Sequence, residues 1–403
     1  MSFSKNSSSQ KKWTFSLTRT LMLMVPFDLL ASLGMDIYLP ALPGMREYFS
    51  TSPLMVQLTL SLYMLMLGCG QLIFGPLSDR YGRRPVLLFG SLLFVLCSIG
   101  LTVVGSIEAF IFLRLCQAAG GSAALVAMFA TVRDVYGHKP ESATLYALLG
   151  GMLAFVPALG PIVGSLLIGW FGWESVFWSL AMAGTVVGVH ALFCWPETNR
   201  SVSDVCIADA FVRVISSRAF LLYTLGFTVA MGSFFVYFSI APDILMGRLG
   251  YSPFMFSLLF AMAAVVMIVV SRFAGSIAGK FGVSGTLRLG MVVILSGALL
   301  MLLGKFLKLP DALVLLLPMM VISVGISITC SVCATGALAE FKDIAGTGVA
   351  LYYCLEAILV CLLGTAAVTL LPTGSLWPLI VFSGCGSLAV MAFSAQSNKP
   401  RRV

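Results

Sequence analysis

Long apolar runs, each closed by a short polar turn, recur along this chain from end to end. A helix that crosses a bilayer needs about 20 apolar residues. Windows of that kind fall at 17–42, 53–77, 85–106, 108–134, 143–170, 174–195, 218–246, 253–278, 286–307, 311–338, 344–371 and 375–396. The longest polar stretch, Glu197 to Arg218, sits in the middle and divides the spans six and six. The pattern predicts an all-α membrane protein of twelve transmembrane helices in two pseudo-symmetric six-helix bundles. Its units are a tail at 1–16, an N-terminal bundle at 17–196, a linker at 197–217, a C-terminal bundle at 218–396 and a second tail at 397–403.

Composition agrees with that reading. Hydrophobic residues make up 59% of the chain and charged ones 10%, whereas soluble domains are about a quarter charged. Of the 24 Lys and Arg residues, Arg46, Arg248, Lys305 and Lys308 fall at one end of the spans and Arg114 lies within one. The rest lie with both termini, which the positive-inside rule assigns to the cytoplasm. The net charge of +8 therefore reports topology and not a nucleic-acid partner, because no single face collects it. The first run is too long for a signal peptide, carries Asp28 and Asp36, and ends in Asp36-Ile-Tyr-Leu-Pro40 without a small-residue cleavage site. The ten cysteines lie mostly in apolar spans, where they read as small hydrophobes and not as a metal site or a disulfide framework.

Comparing the halves at a fixed offset exposes a duplication. Gly75-Pro-Leu-Ser-Asp79-Arg80-Tyr81-Gly82 aligns with Gly275-Ser-Ile-Ala-Gly279-Lys280-Phe281-Gly282, each after the second span of its half. Internal repeats of this kind build many secondary transporters. The first copy runs on through Arg83-Arg84-Pro85. Glycines at Gly75 and Gly82 permit a tight turn and close helix approach. Asp79 can accept bonds from a helix N-terminus and from Arg80, Arg83 and Arg84, making a charged latch where a plain positive-inside loop is the simpler alternative. In the fifth span, Gly160 and Gly164 form a small-residue face for close helix contact, and Pro157 and Pro161 weaken the helix ladder. Together they read as a gating helix.

These motifs carry a resemblance. The Gly75–Pro85 loop resembles the signature between the second and third helices of the major facilitator superfamily. Arg114-Leu-Cys-Gln117-Ala-Ala-Gly120 is similar to its buried-arginine motif, and Gly150-Gly-Met-Leu-Ala-Phe-Val-Pro157-Ala-Leu-Gly160-Pro161-Ile-Val-Gly164 to its antiporter motif. Pro26-Phe27-Asp28 through Pro40, Ala130-Thr-Val-Arg133-Asp134-Val-Tyr136 and Gly336-Ala-Leu-Ala-Glu340-Phe resemble the chloramphenicol and florfenicol exporters of the bicyclomycin/chloramphenicol resistance group. The resemblance covers essentially the whole chain. It implies a monomeric drug/proton antiporter of a bacterial inner membrane, with no cofactor and no metal, whose partners are a small-molecule drug, protons and the lipid bilayer.

An ionisable side chain inside a span is costly and marks a functional site by default. Asp28 and Asp36 lie eight residues apart on one broad face of the first helix. Arginine keeps its charge, so Arg114 is the fixed charge and an aspartate the variable one, a proton switch that drug binding contests. The simpler readings are a structural pairing of Arg114 with a carboxylate or backbone carbonyls and a solvated helix end for Asp36. The resemblance places acidic coupling residues on Asp28 and Asp36. Glu356 in the eleventh span departs from that group's pattern; it is either a second protonatable site or a group facing a wet cavity. Tyr38, Tyr63, Phe234, Phe235, Tyr237, Phe238 and Tyr352 are candidate cavity aromatics, and with Asp28 they form the expected drug site.

Other classes lack their parts. His138 and His190 are the only histidines, with no His-Glu-x-x-His and no Gly-x-Ser-x-Gly. Gly275-Ser-Ile-Ala-Gly279-Lys280-Phe281 has the wrong spacing for a phosphate-binding loop. A sugar or metabolite transporter of the same fold would need many amide side chains. The spans hold no asparagine, and glutamine only at Gln57, Gln71 and Gln117 away from their ends.

Overall fold

A computed structural model describes residues 13–137, 139, 141, 144–145, 148–149, 152, 155–198, 207–341, 345–372 and 374–397. The N-terminal tail to Lys12, His138, Gly150, Gly151, Leu153 and Ala154 of the fifth-span motif, linker residues 199–206 and the last six residues lie outside them. Among the described residues all regular structure is helical.

The first half is built from α1 (Leu17–Asp36), a short α2 (Leu42–Tyr48), α3 (Pro53–Tyr81), α4 (Arg83–Leu101), α5 (Ile107–Tyr136), α6 (Val156–Phe171) and α7 (Glu174–Cys194). After α8 (Ile207–Ile215), the second half follows as α9 (Arg218–Pro242), α10 (Pro253–Phe306), α11 (Asp311–Leu338), α12 (Ala345–Leu359), α13 (Thr365–Leu370) and α14 (Trp377–Ser397). Serine starts many of them: Ser16, Ser52, Ser106, Ser217 and Ser252 each accept a bond from the backbone N–H three residues on, satisfying a donor the helix leaves open. Pro53 and Pro253 follow two of these caps, where the missing N–H costs nothing.

Ten of the described helices are long and apolar enough to cross a membrane. Apolar side chains such as Met182, Val186, Phe193, Leu299 and Leu303 stand exposed on their outer faces, as a lipid-facing belt requires. One boundary differs from expectation. The first span stops at Asp36, because Pro40 at the start of the Leu39–Ala41 turn has no N–H to extend the ladder. The expected eighth and ninth spans are the two arms of α10. That helix is broken at Gly282, whose φ of +68° is non-helical. The expected eleventh span is α12 and α13 joined by a π turn at Val360–Gly364.

The duplicated loop now has a physical reason. Gly82 has φ of +103° and Gly282 of +68°, a region other L-residues rarely adopt, so each half turns on glycine between its second and third long helix. The turn at 82–84 defines the basic end of the molecule. Helix α3 starts at the opposite end and descends to it.

The two halves meet along two seams, α3 against α12 and α6 against the first arm of α10. In the second seam Ala158 packs with Ala261 and Ala264, small side chains that let backbones approach.

Candidate functional site

Arg114 is fully buried two turns into α5. Its Nη1 donates to the Gly34 carbonyl and to Gln117 Oε1, both at 2.7 Å, and Gln117 in turn donates to Ser98 Oγ at 2.8 Å. The guanidinium lies over Tyr63 at 4.1 Å and Tyr38 at 5.0 Å. A desolvated cation–π contact is worth about 2 kcal/mol. Each tyrosine is held in turn: Tyr63 Oη donates to the Ala31 carbonyl at 2.8 Å, and Tyr38 Oη bonds Thr59 Oγ1 at 3.0 Å. Nε and Nη2 of Arg114 have no partner among the described residues, and no ion pair reaches it there. Of the simpler pairings for Arg114, the one with a backbone carbonyl is made in this conformation and the one with a carboxylate is not among the described contacts.

The acidic residues divide between two neighbourhoods. Asp36, buried at the last turn of α1 and not solvated as a helix end, shares Tyr63 with Arg114 as an electrostatic neighbour. Asp28, also buried, lies instead toward the second half, where Tyr353 stands within electrostatic range of both Asp28 and buried Glu356. Asp36 and Arg114 thus share Tyr63 as a neighbour, and Asp28 and Glu356 share Tyr353. The structure does not bring Asp28 onto Arg114.

The fifth-span glycines fit against Asp36. A Cβ on Gly160 would stand 2.9 Å from the Asp36 Cβ, and one on Gly164 would collide with the Ile37 carbonyl oxygen. On its other side, α6 accepts a hydrogen bond at the Pro161 carbonyl from Ser257 Oγ of α10, at 2.8 Å. Pro161, inside α6, leaves the ladder without one donor, while Pro157 sits in the first turn, where the loss is harmless. Helix α6 therefore links the Asp36 turn of one half to the other half.

At the basic end the latch residues form a network with one another and, among the described residues, with Asp134, Arg133 and Glu197. Arg83 is buried, pairs with Asp79, donates to Asp134 Oδ2 at 2.9 Å and to Ser78 Oγ at 3.0 Å. Arg133 lies 3.8 Å from Asp79. Glu197 receives the backbone N–H groups of Arg83 and Arg84 at 2.9 and 3.1 Å, an anion placed on the N-terminus of α4. Its carboxylate would meet a Cβ on Gly82, a second reason for glycine there. Arg84 also donates to the Leu192 carbonyl at 2.6 Å. Arg80 is exposed over Tyr81. Gly75 has open space around it, so close helix approach there is not used in this conformation.

Toward the opposite end the seam is closed. Gln57 Nε2 donates to Ser239 Oγ at 2.9 Å, and Ser61 Oγ bonds Thr365 Oγ1 at 2.6 Å, both between halves. A cavity of about 210 Å³ lies beside this closure, lined by Arg46, Gln57, Ser239, Asp243, Thr369 and Gly374 among others. The expected drug-site aromatics do not line it. Phe234, Tyr237 and Phe238 gather around Phe260, with Tyr237 stacked on it at 5.0 Å, and Phe235 packs against Gly364. Tyr352 lies tilted against Phe227, ring centroids 4.9 Å apart. The hydroxyls of Tyr237 and Tyr352 are buried and have no partner among the described residues. Sequence reasoning did not single out Ser239, Ser257, Thr365 or Glu197 as site residues. Of these only Glu197, the acid that opens the central polar stretch, carried a visible signal.

Comparison with known proteins follows this geometry. A family model described as Major Facilitator Superfamily matches residues 28–365. A chloramphenicol resistance protein of Pseudomonas aeruginosa is 44% identical over 385 residues, 96% of this chain and 91% of that one. A bicyclomycin resistance protein homolog of Haemophilus influenzae is 27% identical over 300 residues, 73% of this chain and 74% of that one. Among solved structures, a D-xylose-proton symporter superposes with a TM-score of 0.75 at 15% identity, covering 94% of this chain and 97% of its own. That last likeness is one of fold alone.

Proposed function

The chain belongs to the major facilitator superfamily, and we propose that it exports small lipophilic antibiotics, chloramphenicol and florfenicol first among them, in exchange for protons by alternating access. The observation that carries this reading is the 44% identity over nearly the full length to a chloramphenicol resistance protein. The site supports it physically: buried carboxylates on both halves and a guanidinium of fixed charge between them in the chain.

The proposed architecture is twelve spans in two six-helix bundles at 17–196 and 218–396, in a monomer of a bacterial inner membrane with both termini cytoplasmic. The break at Gly282 supports counting α10 as two spans, and the apolar α6 supports a fifth. In the proposed cycle, Asp28 and Glu356 exchange protons while drug occupies the space between halves. Arg114 supplies constant positive charge next to Asp36. Protonation of Asp36 changes the field at Arg114 and the contact its turn makes with Gly160 and Gly164, so α6 carries the change to the other half. Asp79 and Arg83 hold the basic end of the first half rigid and release or engage the second half as it moves. A membrane potential near 100 mV supplies about 2.3 kcal/mol per charge moved. At 1.36 kcal/mol per decade, one charge per cycle supports roughly a 50-fold gradient of a neutral drug.

The test is drug accumulation by cells expressing the protein, with and without a proton uncoupler. We expect low internal chloramphenicol that rises to the control level when the uncoupler is added. Resistance with unchanged internal drug, or with chemically modified drug recovered, overturns the reading.

A further inference from the structure

Cys69 of α3 and Cys354 of α12 face each other across the seam between the halves, the Cys354 thiol donating to Cys69 Sγ at 3.5 Å. Neither has a structural task that requires sulfur, and the sequence alone gave no reason to pair residues 285 positions apart. What makes the pair significant is its place on the seam. Toward the opposite end, α3 and α12 are zipped together. Ser61 bonds Thr365, and a Cβ on Gly68 would run into Ala357 and stand 3.0 Å from the Tyr353 carbonyl. Toward the basic end, Gly75 of α3 has no neighbour within 4 Å of where its Cβ would stand. The thiols therefore sit at the inner edge of the closed part of the seam, where the two helices begin to part. Cys69 is correspondingly half-buried, open enough for a small reagent, while Cys354 is buried.

We infer that Cys69 and Cys354 form an oxidative modification site that locks the two halves together. The oxidant class is an organic hydroperoxide of the kind that forms in the lipid around such a helix. Cys69 sulfur attacks the terminal peroxide oxygen and the O–O bond breaks. This leaves Cys69 as a sulfenic acid and the peroxide reduced to an alcohol, which takes the proton. Cys354 sulfur then attacks Cys69 sulfur, the S–OH bond breaks, and water leaves with the second thiol proton. Overall two thiols and one hydroperoxide give one disulfide, one alcohol and one water. An S–S bond of ~2 Å needs the sulfurs to close by about 1.5 Å, a side-chain adjustment and not a helix shift. The product is a covalent tie across the seam that must open for the opposite end to be exposed. Two other cysteine neighbours, Cys97 with Cys116 and Cys330 with Cys333, each lie within a single half, so their oxidation cannot tie the halves.

This inference rests on the transport reading for its consequence but not for its chemistry, and the experiment separates the two. The full chain, with a protease site inserted in the linker, is treated with cumene hydroperoxide in membrane vesicles, cleaved, and run on non-reducing gels. We expect the two halves to stay together and to separate with dithiothreitol. In uncut vesicles, chloramphenicol transport should fall at least tenfold on oxidation and return on reduction. Cys69→Ser and, as a second variant, Cys354→Ala should keep their transport and show neither cross-link nor inactivation. Halves that separate after oxidation of the parent chain overturn the site. A cross-link that forms while transport continues at its former rate overturns the lock, and so does oxidative inactivation that persists in both variants. If the parent chain transports no chloramphenicol at all, the gel still decides the site and only the proposed function falls.

Discussion

Gly164→Ala is the sharpest perturbation the geometry offers. The new methyl points at the Ile37 carbonyl oxygen closer than any real Cβ contact, and the Ile37 carbonyl carbon follows at 2.9 Å. Both clashing atoms belong to the backbone, so no rotamer change relieves them. Helix α6 must move away from the Asp36 turn. Overpacking of this kind costs about 1–3 kcal/mol. If α1 and α6 part when the opposite end opens, that cost falls on the conformation seen here and not on the other. At 1.36 kcal/mol per decade, the balance between the two shifts roughly 5- to 150-fold toward the opened form. Gly169→Ala is the control, because it lies on the same helix, exposed, with nothing within 4 Å of its Cβ. There alanine is neutral or stabilises by up to about 1 kcal/mol. The assay is the labelling rate, by a membrane-impermeant maleimide, of a cysteine placed at the cavity-lining Thr369 in an otherwise cysteine-free chain. Gly164→Ala should label faster and export drug more slowly, and Gly169→Ala should match the parent. Equal labelling and equal export for the two variants would refute the coupling of α6 to the Asp36 turn.

Asp28→Asn should abolish uphill chloramphenicol export while leaving equilibrium drug binding measurable, since the amide keeps shape and hydrogen-bonding capacity; retained uphill export would move the coupling to Asp36 or Glu356. Arg114→Lys should also stop export, because an ammonium lacks the planar face that lies over Tyr63 and Tyr38; vesicle transport at the parent rate would refute this. Gln57→Ala removes a bond between halves at 2.9 Å worth about 1 kcal/mol, so the same Thr369 labelling should quicken about fivefold, and an unchanged rate would mean the bond is not part of the closure. Asp79→Asn takes one of two carboxylate partners from buried Arg83; we expect slower turnover with drug affinity preserved, and normal export by the folded variant would reduce the loop to a topology signal.

The periodic features of the chain were legible and the tertiary ones were not. Span spacing and the Gly82/Gly282 repeat gave the helical order, because hydrophobic length and positive φ are local demands. The π turn at Val360–Gly364 leaves no mark in hydropathy, and the break at Gly282 falls between the expected eighth and ninth spans. Arg114 was found because a charge in an apolar run is conspicuous. A backbone-carbonyl partner was among its alternatives, but neither Gly34 nor the two tyrosine faces over it could be picked out, since they carry no sequence signal. Charge alone left open which aspartate answers to Arg114, whereas in the fold Asp28 and Glu356 both neighbour Tyr353. The aromatics of α9 looked like a cavity lining and are packed around Phe260 here, because composition does not distinguish a wall from a core. Ser239 and Thr365 are ordinary residues until the halves are brought together.

The central claim is proton-driven export, and the purified protein in liposomes tests it most directly. Chloramphenicol is supplied at equal concentration on both sides and a proton gradient is imposed across the liposome membrane. The account expects drug to accumulate on the side from which protons flow, to disperse when the gradient is collapsed, and to stay evenly distributed with Asp28→Asn. Drug that only equilibrates in the parent protein, whatever the gradient, would contradict it.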